Sequence, residues 1–108
     1  MAINIFRNIT ANLTTVDTVL YTAPLAYSGI VLMAQISNIT TGVVAASMYV
    51  KNLDLTLTSL ITDFPIPGND ALGALSGKLV LQSGQSVVAS ADANGSLQIV
   101  LSILESQN

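Results

Sequence analysis

Apolar and polar residues alternate most regularly near the end of the chain. Leu97, Ile99, Leu101 and Ile103 alternate with Gln98, Val100, Ser102 and Leu104, the period of a strand with one buried face. Between Lys78 and Glu105, three short apolar runs are divided by Ser83-Gly84 and Asn94-Gly95. Asn and Gly both tolerate the positive φ of a type I′ turn, so this third of the chain predicts a β-meander with a tight hairpin at Asn94-Gly95. Glu105 continues the buried alternation, which places it at the rim of the core or at a subunit contact.

The rest of the chain also reads as strands. Ile3, Ile5 and Ile9 share one face, with Phe6 and Arg7 between them; residues 1–12 are either a first strand or an arm laid on a neighbouring subunit. Val16 to Thr22 is a second strand, closed by Ala23-Pro24, because proline fixes its own φ and biases the residue before it away from helix. Tyr27 to Asn38 is apolar on both faces, with Ile30, Leu32, Ala34 and Ile36 on one and Val31 and Met33 on the other. Val43 to Lys51 is similar, and a turn at Thr40-Thr41-Gly42 predicts that the two form a hairpin. Leu53, Leu55, Leu57 and Ser59 alternate with Asp54, Thr56 and Thr58 as a half-buried strand. Phe64 to Asp70 reads as a loop, since Pro65 and Pro67 cannot donate to a ladder and Gly68-Asn69 supplies turn chemistry. Ala71 to Ser76 has room for a short helical turn, not a stable helix.

Turn signals every ~8–12 residues and the lack of a helical period predict an all-β fold of about seven or eight antiparallel strands. The expected form is one small β-sandwich or jelly-roll-like domain spanning residues 1–108. Its predicted core is Leu32, Ala34, Ile36, Leu55, Leu57, Leu79, Leu81, Leu97, Ile99, Leu101 and Ile103.

Composition narrows the function classes. Charged residues make up 8% of the chain and apolar residues 51%, where about a quarter charged is usual for soluble domains. The polar surface must be Ser, Thr, Asn and Gln, which suits a chain packed against copies of itself or a partner. Cys and His are both absent, which removes disulfides, Cys/His zinc sites and Ser-His-Asp catalysis. Arg7, Lys51 and Lys78 are too few to hold a phosphate backbone, so no nucleic-acid partner is expected. Asp17, Asp54, Asp63, Asp70 and Asp92 fall in turns or on outward faces, where carboxylates are solvated and do not form a glycosidase pair. The spacing of Asp63, Asn69 and Asp70 matches no calcium loop, and Asn69 and Asp70 are expected to bond their own backbone. Sequons at Asn8, Asn12, Asn38 and Asn94 read as chance in a chain rich in Asn, Ser and Thr. The expectation is a non-enzyme without cofactor or metal. Arg7 and Asn8 interrupt any signal-peptide core, and no apolar run approaches the ~20 residues of a membrane helix, so a soluble chain made in a cytoplasm is expected.

Four segments, in order, carry a resemblance. Val19 to Pro24 ends in Tyr-Thr-Ala-Pro; Ile30 to Thr41 is an apolar strand ending in an Asn-Ser/Thr-like turn; Leu79 to Ala91 has the form L-V-L-x-x-G-x-x-V-x-A-x-A; Ser102 to Glu105 has the form S-x-x-E. Together they resemble small virion structural proteins of tailed bacteriophages. The resemblance implies a small β-sandwich present in many copies on a phage particle. It implies a head decoration (cement) protein bound to the major capsid protein or, alternatively, a tail, neck or fibre component that recognises a host surface.

A second apolar face completes the expectation. Val31, Met33, Val44, Met48, Val50, Val100 and Leu104 are assigned opposite to the predicted core. A two-layer sandwich buries one face of each sheet, so these residues are expected to line an interface between copies. The resemblance implies that the closed form is a trimer.

Overall fold

The computed structural model describes residues 4–108, so Ile3 of the predicted first strand lies outside the described residues. Nine strands form two antiparallel sheets: β1 (Asn4–Asn12), β2 (Thr18–Thr22), β3 (Tyr27–Asn38), β4 (Val44–Lys51), β5 (Leu57–Ile66), β6 (Ala71–Gly73), β7 (Leu79–Leu81), β8 (Ser86–Ala91) and β9 (Leu97–Gln107). Sheet A has the order β1-β9-β3-β6, with β7 also on β3; sheet B has the order β2-β8-β4-β5. The result is an all-β sandwich.

The core lies between the sheets. Leu97, Ile99, Leu101 and Ile103 of β9 meet Val87, Ala89 and Ala91 of β8 and Ala46 and Met48 of β4, and all are buried. Leu13, Ile66 and Leu81 seal the ends and are also buried. Of the predicted core, Ala34, Ile36, Leu81 and the four β9 residues are buried. Leu32 and Leu79 are only half-buried. A register shift between Val31 and Met33 turns Val31 inward in place of Leu32.

The predicted meander and the β3–β4 hairpin are corrected. Strand β7 pairs with β3, β8 lies between β2 and β4, and β9 lies between β1 and β3. Each connection from β7 to β8 and from β8 to β9 therefore crosses between sheets. Gly84 and Gly95 do take positive φ, at 89° and 70°. A turn residue of this kind reports local backbone conformation, not which sheet the next strand joins. The inner faces of β8 and β9 are both apolar, and stacking them face to face buries both. The β3–β4 connection also crosses, and buried Asn38 holds it. Its Nδ2 donates to Gly42 O at 2.8 Å and Ile66 O at 2.9 Å, while its Oδ1 accepts from Thr40 N at 2.9 Å.

Among the described residues the one hairpin between consecutive strands is β4–β5, and it corrects the predicted Leu53–Ser59 strand, of which only Leu57 to Ser59 lie in β5. Asn52 N donates to Thr56 O at 2.8 Å, and Leu55 sits at φ 71° in the turn. Leu55 and Leu57, assigned to the core, are 71% and 46% exposed. Phe64 to Ile66, predicted as loop, ends β5; Pro65 is tolerated because β5 is an edge strand. Ala71 to Gly73 is strand β6 on β3, not a helical turn.

Two stability outcomes follow from this packing. Ile99→Ala, at a position 1% exposed in the middle of the core, should lower unfolding free energy by about 2–5 kcal/mol in urea titration. Gly95→Val should cost about 1–3 kcal/mol through backbone strain alone, because no atom lies within 4 Å of an added Cβ. Gly95→Asn should cost much less, since Asn tolerates that φ.

Candidate assembly surface

Directly paired residues of an antiparallel ladder share a face, so sheet A presents cross-strand rows. One outer row runs Phe6–Leu104–Ile30–Val80. Another runs Thr10–Val100–Gln35–Gly73, and Met33 lies between them in the row Asn8–Ser102–Met33. Phe6 is 75% exposed, Val80 59% and Met33 40%. The flanking rows, Asn4–Ser106–Ser28 and Asn12–Gln98–Ser37, are polar and neutral. None of these described outer-face positions carries a charge. The charges sit in the sandwich interior (Glu105), on the inner side of β1 (Arg7), or at strand ends, connections and the β5 edge. An uncharged face that exposes Phe6 on its β1 edge and Met33 further in on β3 has the composition of an interface core.

The seven residues expected to line that interface do not share one face. Val31, Val44, Met48 and Val50 are buried in the sandwich core. The bulge turns Val31 inward, and β4 directs its even-numbered residues toward sheet A. Met33, Val100 and Leu104 lie on the outer face of sheet A. Phe6, Ile30 and Val80 join them there. Phe6 alternates with the inward Ile5 and Ile9, which was the signal for its face.

The buried charge lies on the inner side of the same sheet. Ile5, Glu105 and Gly29 form one row of β1, β9 and β3. Glu105 is 2% exposed. Its Oε1 accepts from Arg7 Nε at 2.8 Å, and its Oε2 accepts from Tyr21 Oη at 2.7 Å. Tyr21 comes from β2 of sheet B, so this bond ties the two sheets. Gly29 makes room for it: a Cβ there would lie 2.8 Å from the Tyr21 ring. Burial pushes the Glu105 carboxyl up, but donation from Tyr21 and Arg7 and the Arg7 charge outweigh it and hold it below its ordinary value. Burial, and then the bond to Glu105, push the Tyr21 phenol upward, so it stays a donor. Both carboxylate oxygens are engaged, which makes this a structural clamp between β1, β9 and β2.

The other carboxylates are dispersed. Asp54 Oδ1 accepts from Thr56 N at 3.1 Å and Thr56 Oγ1 at 2.6 Å, which holds its carboxyl down. Asp92 Oδ1 accepts from Ala45 N at 3.0 Å, Asp63 Oδ1 accepts from Ser47 Oγ at 3.4 Å while Asp63 N donates to the same hydroxyl at 2.9 Å, and Asp70 Oδ1 accepts from Ala71 N at 2.8 Å. Among the described residues no three acidic groups converge as a metal site would require.

No family model matches the sequence, and no curated protein matches it. Solved structures do match the fold. A chain of the Bacillus endospore appendages, described as a novel family of disulfide-linked pili, superposes with TM-score 0.59 at 6% identity, over 99% of this chain and 88% of that one. A chain of the acid-stable capsid of Helicobacter pylori bacteriophage KHP30 superposes with TM-score 0.52 at 14% identity, over 98% of this chain and 93% of that one. Both likenesses are of fold.

The clamp sets a pH dependence. With its folded pKa below the ordinary 4.5, Glu105 contributes stability that is complete above that value and is lost as pH falls through the lower folded value. Thermal unfolding followed by circular dichroism should show Tm falling below about pH 4.5. Glu105→Gln should flatten that fall, leaving the part that Asp54, whose carboxyl is also held down, supplies.

Proposed function

We propose that the chain is a non-enzymatic structural subunit of a bacteriophage virion, a capsid decoration protein that adds to the assembled shell. The uncharged apolar outer face of sheet A carries this reading. In a free monomer that face would stand in water, and packing it against a neighbouring subunit or the major capsid protein would remove it from solvent. Burying apolar area between shell subunits resists outward pressure from packaged DNA. The likeness to a phage capsid chain over nearly the whole of both chains supports the reading, as does the phage-protein resemblance of the sequence.

The likeness to a pilus subunit favours a second reading, a subunit of a tail, neck or fibre in contact with a host surface. Disulfide linkage of the kind those pili carry is closed to this chain, which has no Cys. In either setting the chain works in copies, and the resemblance implies three in a closed ring.

Immunogold labelling of the phage particle whose genome encodes the chain separates the two. Label spread over the head is expected; label confined to the tail or to one vertex would support the second reading. Val80→Glu, on an exposed position of the apolar row, should weaken attachment by about tenfold or more by placing an unpaired charge in the contact.

A further inference from the structure

The edges of the two sheets differ in how they are guarded against pairing with another strand. On sheet B, β5 carries Pro65, Asp63 at φ 45° and two register shifts against β4. At the other edge β2 is five residues long and bulged against β8. On sheet A, β6 and β7 are three residues each and cover the outer side of β3 only in part. Such short, bulged or Pro-bearing strands are the usual means of blocking edge-to-edge pairing. The fourth edge, β1, has none of them. It runs nine residues, Asn4 to Asn12, in unbroken register with β9, and contains no Pro, Lys or Gly.

An inward-pointing charge on an edge strand opposes coverage of that edge, and Arg7 is such a charge. Here it is already paired: Glu105 accepts from its Nε at 2.8 Å. The guard is neutralised from within the same sheet.

We propose that β1 pairs with β1 of a second copy, antiparallel about a two-fold axis at Asn8, so that two A sheets join into one. This rests on the reading that the chain works in copies, and it names the edge that joins them. The axis position follows from the strand itself. Inner and outer faces must continue across the junction, so each residue pairs with one of the same parity. An axis at Asn8 overlaps all nine described residues of β1, with Asn4 opposite Asn12 and Phe6 opposite Thr10 of the second copy. It sets Arg7 opposite Ile9. An axis at Arg7 would set two like charges against each other. With the axis at Asn8, the two apolar outer rows approach the junction through Phe6 of each copy and form one wider uncharged face. An edge pair of this kind is isologous and closes at two copies, in place of the three that the resemblance implies.

The absence of Cys makes the test clean. Residues opposite each other in an antiparallel pair have Cα atoms about 4.5–5.5 Å apart, within disulfide reach. Asn8→Cys should therefore crosslink to a covalent dimer under mild oxidation on a non-reducing gel, whereas Thr62→Cys on the β5 edge should not. Light scattering of the parent protein should give twice the 11.2 kDa chain mass. Asn8→Lys, on an exposed position, should weaken that dimer by about fivefold or more, with Tm little changed. A parent protein that is monomeric or trimeric, or a dimer indifferent to Asn8→Lys and not trapped by Asn8→Cys, would overturn the edge pairing. Head labelling and its loss in Val80→Glu would then still stand for the assembly reading. The failure of that labelling, with the dimer intact, would remove the virion reading and leave the edge pairing in place.

Discussion

Strand β9 sets the terms for the rest of the sandwich. It is eleven residues long, lies between β1 and β3, and turns Leu97, Ile99, Leu101, Ile103 and Glu105 to the same side. Four of these demand an apolar cover, which sheet B supplies through Val87, Ala89, Met48 and Ala46. The fifth demands donors. A carboxylate taken out of water without partners would destabilise the fold by several kcal/mol in effective terms. Tyr21 and Arg7 meet the demand from opposite directions, one across the sandwich and one along the sheet. The positions of β1 and β2 are thus tied to one strand by both apolar and polar contacts, and Gly29 on β3 is left without a side chain so that the phenol can reach.

The same arrangement explains where the charge of the molecule lies. With Glu105 buried and Arg7 drawn inward to it, the outer side of β1, β9 and β3 is left to Asn, Ser, Thr, Gln and apolar residues. Water still solvates such a face through amides and hydroxyls. It lacks the strongly hydrated groups whose removal from water makes association costly. Such a surface is wettable while it stands free and loses little hydration on contact.

Much of this was legible in the chain. The β9 alternation was read correctly because β9 has one covered face, and a single covered face leaves a period of two. The all-β class followed from the same period repeated. Glu105 was legible as an inward position, although its partners were not, since Arg7 and Tyr21 are 98 and 84 residues away in sequence. The sheet assignment was not legible. Gly84 and Gly95 announce positive φ equally well in a hairpin and in a crossing connection. The bulge at Leu32 reverses the phase of β3 without any Gly or Pro to mark it. The leucines at 53 and 55 imitate the strand that begins only at Leu57, because alternation over so few residues does not separate a turn from a ladder.

The pairing of the first strand with the last also imposes an order in time. During synthesis β1 emerges first and β9 last, and β1 has no place in sheet A until β9 is available to receive it. Until then the residues of β1 are an unpaired segment, and the row that joins Phe6 to Leu104 does not exist. The uncharged outer face of sheet A is therefore completed only once β9 has joined β1. A chain that stops short of β9 lacks the Phe6–Leu104 row and with it part of the surface proposed to join subunits.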